Sequence, residues 1–267
     1  MAKAHEIDYQ IYGDDMQFVE ISLDPGETVI AEAGAMMYMD GAVRFDTVFG
    51  TGSEKDQGKG LMDKVIGAGK RVLTGESLFM TTFTNQGSGK KVVAFAAPYP
   101  GKVIPVNLAA CGGQLICQRD AFLCAAKGIE IEIAFTKKIG AGLFGGEGFI
   151  MQRLVGDGLA FLHAGGTITK KELQAGEMLK LDTGCLVAMT DSIDYDVTFV
   201  SDLKSAIFGG EGLFLATLEG PGAVWLQSLP FSRLANRLFA AGRRGGGKKG
   251  EGSLLGGVGL KNLLGSD

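Results

Sequence analysis

A short motif that contains a glutamate and is followed by apolar residues occurs three times in this sequence. The three glutamates are Glu76, Glu147 and Glu211, and the copies lie 71 and 64 residues apart. A recurrence of this length indicates small domains built on one plan rather than one large core. The chain has 267 residues, which is long enough for three such domains.

The segments between the motifs are typical of short β-strands. In the third copy, residues 185–189 form a continuous apolar run, and residues 193–199 alternate apolar with polar side chains. A continuous run fits a strand buried on both faces, and alternation fits a strand with one face in water. The other two copies repeat this order, at 33–37 and 43–46 and at 120–124 and 129–133.

Two copies also begin with similar turns, at 23–27 and 173–177, in which a glycine precedes a glutamate. The Pro25-Gly26 pair favours a type II bend. The corresponding turn of the second copy, at 110–113, lacks the glutamate. Glycine makes up 43 of the 267 residues, as expected for a chain with many tight turns.

Together these patterns predict an all-β protein of three homologous β-sandwich domains with few short helices. The predicted division is 1–99 for the first repeat, with a helical insertion near 61–73, 100–164 for the second repeat, 165–240 for the third, and 241–267 for a flexible Gly-rich tail. A further helix is predicted from 231 to 241.

Charge, cysteine usage and hydropathy restrict the class of protein. The net charge of −4 argues against general nucleic-acid binding. There is no apolar core of a signal peptide near the first residue and no run of 18 apolar residues. We therefore expect a cytoplasmic location and four reduced cysteines, without a zinc site because no Cys-x-x-Cys pair occurs: Cys111, Cys117, Cys124 and Cys185.

Two motifs carry a family resemblance. Residues 208–214, with Gly-Gly-Glu-Gly, and residues 220–228, with Gly-Pro-Gly-Ala-Val-Trp-Leu-Gln-Ser, resemble a largely uncharacterised bacterial family, as does the segment 120–125. This family is related to the mitochondrial biogenesis protein named for altered inheritance of mitochondria. The resemblance covers roughly 5–240 and implies three sandwich domains in a pseudo-threefold arrangement, with a fold similar to the tryptophan RNA-binding attenuation protein. It implies no activity and no catalytic residues.

The candidate site residues each have a simple structural interpretation. Glu76, Glu147 and Glu211 would form a carboxylate ring for a cation in one interpretation, but turn carboxylates that accept backbone N–H bonds are favoured. His163 lacks a recognisable nucleophile and acid, and the third copy has Gln227 in its place, which favours a strand-end hydrogen-bonding role. We expect no catalytic, cofactor or metal site.

Basic residues offer two further candidates. Lysine pairs at 90–91, 137–138, 170–171 and 248–249 would bind RNA or anionic lipid if they formed a rim, but they do not occupy matching repeat positions. The segments 61–73 and 231–249 combine basic with apolar residues, as surface-bound membrane helices do. Helices that pack between domains would show the same pattern.

The expected function is therefore non-enzymatic: an oligomeric scaffold or binding module, with peripheral membrane contact through the C-terminal segment. Homo-oligomerisation is expected because sandwich domains leave open sheet edges. The alternatives are a small-molecule sensor that binds its ligand between domains and an RNA-binding regulator.

Overall fold

The structure is a computed structural model that describes residues 3–49, 79–137, 149–200 and 213–245. Glu76, Glu147, Glu211 and the predicted helical insertion at 61–73 lie outside these residues. So does the tail beyond 245.

The described residues form nineteen strands, which confirms a mostly β protein. The first repeat contributes β1 (Asp8–Tyr12), β2 (Phe18–Leu23), β3 (Thr28–Glu32), β4 (Met36–Met39), β5 (Val43–Phe49), β6 (Phe79–Asn85) and β7 (Lys91–Ala96). The second contributes β8 (Gly101–Asn107), β9 (Gln114–Gln118), β10 (Phe122–Ala126), β11 (Glu130–Lys137), β12 (Phe149–Val155) and β13 (Leu159–Gly165). The third contributes β14 (Ile168–Leu173), β15 (Met178–Asp182), β16 (Leu186–Met189), β17 (Asp194–Val200), β18 (Leu213–Glu219) and β19 (Gly222–Gln227).

These strands form four antiparallel sheets, and two of the sheets cross from one repeat to the next. The orders are β1-β2-β7-β4, β5-β6-β3-β10-β13-β8, β11-β12-β9-β16-β19-β14 and β15-β18-β17. The second sheet joins the first and second repeats where β3 pairs with β10. The third sheet joins the second and third repeats where β9 pairs with β16. Consecutive repeats are thus joined by continuous sheets and do not form separate sandwiches.

A shared irregularity aligns the three repeats residue by residue. Strands β4, β10 and β16 each shift register once against their own partners β7, β13 and β19. The shift falls between Met36 and Tyr38, between Phe122 and Cys124, and between Leu186 and Ala188. Met36 therefore corresponds to Phe122 and to Leu186.

The predicted turns at 23–27 and 173–177 are confirmed. Gly26 has a φ of 85° and Gly176 a φ of 76°, values that favour glycine. The Glu27 carboxylate accepts a hydrogen bond from the Asp24 N–H at 2.7 Å, and Glu177 does the same for Gln174 at 2.9 Å. These glutamates therefore stabilise the turns that precede β3 and β15.

The buried residues form one large apolar cluster that contains side chains of all three repeats and a smaller one between the second and third repeats. Phe95, Phe161 and Leu115 are fully buried in the large cluster. Cys117 and Cys124 lie in buried strands, and the thiols of Cys111, Cys117 and Cys124 are free. Burial raises the pKa of the Cys117 thiol to about 12, which keeps it protonated.

One α-helix follows the strands among the described residues: α1 (Phe231–Gly245). It confirms the helix predicted from 231 and extends it into the first residues of the segment predicted as a flexible tail. No described helix is both long and apolar enough to span a bilayer. The chain divides into two compact units, with the boundary between Ser232 and Arg233.

We expect Phe161→Ala to lower the free energy of unfolding by about 3–5 kcal/mol, because Phe161 is fully buried and its loss leaves a cavity. Phe45→Ala is the matched control, since Phe45 is 56% exposed and its truncation should cost less than about 1 kcal/mol. Urea unfolding monitored by circular dichroism measures both. Equal losses in the two variants would contradict this assignment of the core.

Candidate functional site

Buried polar side chains concentrate where consecutive repeats meet. Between the second and third repeats, a short 3-10 helix (Thr183–Cys185) precedes β16 and leaves backbone carbonyls to be satisfied. The Gln118 amide donates to the Thr183 carbonyl at 2.8 Å, and the Gln227 amide donates to the Gly184 carbonyl at 2.9 Å. Gln227 also accepts from the Gly165 N–H at 2.8 Å. Two amides thus bind the inter-repeat junction together.

The junction between the first and second repeats has titratable residues in the same two places. Glu32 lies one residue beyond the part of β3 that pairs with β10, and Gln118 lies one residue beyond the part of β9 that pairs with β16. Phe122, the first residue of β10, pairs with Leu162, and His163 is the next residue. Likewise Leu186, the first residue of β16, pairs with Leu226, and Gln227 is the next residue. An equivalent 3-10 helix, Arg119–Ala121, precedes β10. The two junctions therefore share a backbone plan but differ in their capacity to take up protons.

The carboxyl of Glu32 is held in an environment that disfavours its charge. Burial raises the pKa of Glu32 to about 7, and the negative charge of Asp120 adds to this effect while Arg119 opposes it. Arg119 also forms an ion pair with Asp120, with 3.4 Å between Nε and Oδ1. Near neutral pH this carboxyl is divided between its protonated and ionised forms.

The imidazole of His163 is buried at 2% exposure, and burial lowers its pKa to about 4. The Tyr99 ring meets it edge to face at 4.5 Å, and Tyr99 also contacts Phe231 at 5.2 Å. The backbone of Gly101 closes the other side, because a Cβ there would lie 2.6 Å from the imidazole and 2.2 Å from the Ala164 carbonyl oxygen. His163 Nδ1 has no hydrogen-bond partner among the described residues.

This packing decides what the junction can do chemically. The neutral imidazole of His163 is shielded from solvent, with the Tyr99 ring edge-on against it and the Gly101 backbone close by. The strand-end hydrogen bonding that the sequence predicts for this position is made by Gln227, whereas His163 occupies the place mainly through ring packing. Within the described ranges, no group of three or more His, Cys, Asp or Glu side chains is arranged to hold a metal ion.

In each lysine pair that lies wholly within the described residues, one lysine is engaged with an acidic side chain. Lys90 forms an ion pair with Asp8. Lys170 pairs with Glu172, with Nζ and Oε1 2.7 Å apart, and lies over the Trp225 ring at 5.1 Å. These contacts offset the positive charge that an RNA-binding rim requires.

Helix α1 gives the described residues their most basic segment. It carries four arginines and no acidic residue. At 100° per residue, Phe231, Leu234 and Leu238 fall along one side, and Arg233 and Arg237 fall along a neighbouring side centred about 110° away. Leu238 is 65% exposed and Phe239 72% exposed. The helix is therefore amphipathic and presents apolar side chains to solvent.

Comparison with known proteins identifies the family to which this chain belongs. A sequence model of the family described as Mitochondrial biogenesis AIM24 matches residues 9–229, from β1 to the residues just before α1. The chain belongs to the AIM24 family. An uncharacterized protein of Streptococcus pyogenes serotype M6 is 32% identical over 229 residues, which cover 84% of this chain and 86% of the relative.

A crystal structure extends the AIM24 comparison to three dimensions. A Streptococcus pyogenes protein superposes with a TM-score of 0.68 at 26% identity, covering 88% of this chain and all of that one. The AIM24 match stops close to the start of α1, so the repeats and not the helix carry the family likeness.

Glu32 was not singled out by the sequence, because a lone glutamate at the end of a strand gives no signal of burial. The signal lies in the repeat alignment, where the second copy has Gln118 at the same point. Glu76, Glu147 and Glu211 lie outside the described residues, so the structure does not bring them together or separate them.

We expect Glu32→Gln to stabilise the protein increasingly as the pH rises from 5 to 8. The folded pKa of Glu32 is raised from 4.5 to about 7, so ionisation between these values costs folding free energy that the neutral amide avoids. The gain should reach on the order of 2–3 kcal/mol at pH 8 and fade at pH 5. Urea unfolding across this range measures it.

Glu132→Gln is the control for removing one negative charge from an exposed strand position. A gain that is the same at pH 5 and pH 8 in Glu32→Gln would show that Glu32 does not titrate as the junction geometry requires.

Proposed function

We propose that this protein is a non-enzymatic, oligomeric scaffold that attaches peripherally to anionic membrane surfaces through α1. In this proposal the three repeats are sandwich-like domains in a pseudo-threefold arrangement, similar to the attenuation-protein fold. They form the body, and the helix supplies the attachment. The free thiols of Cys111, Cys117 and Cys124 suit a reducing compartment such as the cytoplasm.

The observation that carries the proposal is the combination of charge and apolar exposure in α1. Helices that lie in the membrane interface bury an apolar side and keep basic residues toward the headgroups. Phe231, Leu238 and Phe239 are at least half exposed, which is costly in water and favourable in an interface. Arg243 and Arg244 fall in the last helical turn and add to the charge of Arg233 and Arg237.

The charge of the remainder of the chain favours one part of the protein, α1, for contact with the membrane. The whole chain has a net charge of −4, although α1 alone contributes four positive charges. An anionic surface therefore repels the body and attracts the helix. Such a charge distribution favours contact through the helix alone.

The described residues support a scaffold better than an enzyme. His163 is enclosed and neutral, and Cys117 and Cys124 are buried thiols with raised pKa values. An RNA-binding role would require free lysines, whereas Lys90 and Lys170 are paired with carboxylates.

Co-sedimentation of the full chain with phosphatidylcholine vesicles, with and without phosphatidylserine, tests the attachment. We expect binding that requires phosphatidylserine and weakens with salt. The Leu238→Asn/Phe239→Asn variant should bind poorly, because it loses the apolar contact. The Arg237→Gln/Arg243→Gln/Arg244→Gln variant should lose about fivefold in affinity for each arginine, at about 1 kcal/mol per charge.

Phe45→Asn is the matched control, since Phe45 is also exposed but lies on β5. Binding that is unchanged in both helix variants, or that falls equally in Phe45→Asn, would contradict attachment through α1.

A further inference from the structure

Among the described residues, the first and last sheets each end in a strand that is paired on one edge only, whereas the equivalent strands of the other repeats are paired on both edges. In the described part of the chain, β4 pairs only with β7, and β15 pairs only with β18. Strand β4 corresponds to β10 and β16, and β15 corresponds to β3 and β9. Among the described residues, the edges that join β10 to β3 and β16 to β9 are therefore open on β4 and on β15.

Exposure differs sharply between the inner and outer copies of these strands. Met36, Met37 and Tyr38 of β4 are 40%, 55% and 38% exposed. Their counterparts in β10 and β16 are all at most 2% exposed. Strand β4 is thus apolar like its buried counterparts, but the described ranges of the chain supply no neighbouring strand on its second edge.

Strand β15 shows the complementary pattern. Met178 is 56% exposed, whereas the equivalent Thr28 of β3 is 2% exposed. Leu179 and Leu181 are half-buried, whereas Val29 and Ala31 of β3 are fully buried. Open edges with apolar side chains are templates for pairing with a further strand.

We propose that copies of this chain join head to tail, with β4 of one copy paired antiparallel to β15 of the next. This deepens the oligomeric part of the proposed scaffold and rests on it, but it does not depend on membrane attachment. The occupant of each edge is a second copy, because the chain carries both halves of a junction that it already makes twice internally. Such a contact is heterologous and builds rings or filaments rather than isolated two-fold dimers.

The internal junctions fix the register of the new one. Cys124 lies opposite Ala31, and Ala188 lies opposite Cys117. The equivalent residues at the open edges are Tyr38 and Leu181. The inferred register therefore sets Tyr38 of one copy against Leu181 of the next, followed by Met39 against Lys180.

Cysteine cross-linking between full-length chains tests this register. A Tyr38→Cys chain is mixed with a Leu181→Cys chain, oxidised and run on a non-reducing gel. We expect a product of two chains, at about twice the 28.0 kDa of one, that neither variant forms alone. Tyr9→Cys is the matched control, since Tyr9 is 41% exposed on β1, at the opposite edge of the sheet that β4 ends.

Two outcomes would overturn the proposal. One is the absence of a mixed product, or an equal yield from Tyr9→Cys. The other is a Tyr38→Cys/Leu181→Cys chain that cross-links only within itself and stays at the mass of one chain, which would show internal closure. A series of two, three and more linked chains from that double variant supports head-to-tail joining.

Light scattering provides a second measurement that needs no new thiols. Met36→Lys/Tyr38→Lys places two charges on the β4 edge and should give single chains, whereas Met16→Lys, at a 68% exposed loop position, should leave the assembly intact. Wild-type protein that remains a single chain at all concentrations would contradict the proposal. Because these assays contain no lipid, failure here is distinguishable from failure of vesicle binding.

Discussion

Antiparallel pairing between consecutive repeats is the interaction on which the rest of this structure depends. A single repeat of six or seven short strands leaves open edges and little interior, and short edges are unstable in water. Pairing β3 with β10 and β9 with β16 satisfies these edges and merges the interiors. The large apolar cluster accordingly contains residues of all three repeats. The repeats thus stabilise one another rather than folding as independent sandwiches.

The same pairing determines where polar residues become buried. Strands β10 and β16 are each preceded by a 3-10 helix, and at the second junction the carbonyls of that helix accept hydrogen bonds from buried amides. Gln118 and Gln227 satisfy these groups with amides that do not titrate. Glu32 and His163 stand in the same places at the other junction, and burial moves their pKa values in opposite directions, both toward the neutral form. One backbone constraint therefore places amides in these two positions at one junction and titratable groups with shifted pKa values at the other.

Local patterns in the sequence predicted the elements but not their partners. The alternation at 193–199 corresponds to β17, the glycine–glutamate turns precede β3 and β15, and the helix from 231 is present. The mostly β class is therefore confirmed, while the pseudo-threefold arrangement stays a prediction. The apolar run 36–37 resembles the run 122–123, but only the second is buried. Burial depends on a strand more than eighty residues away in the chain for β10, and no local pattern reports such a contact.

The proposed assembly and the proposed membrane attachment would reinforce each other. In the proposed attachment, a single amphipathic helix binds an interface weakly, because its apolar area is small and the acidic body opposes approach to an anionic surface. Head-to-tail joining gives every assembly as many copies of α1 as it has chains. Once one helix is bound, the others bind from a high effective concentration, so avidity grows without any new contact to lipid. Under these two proposals, a repeat protein with complementary strand edges, β4 and β15, open among its described residues and with one weak membrane helix per copy is suited to binding as an array rather than as a single chain.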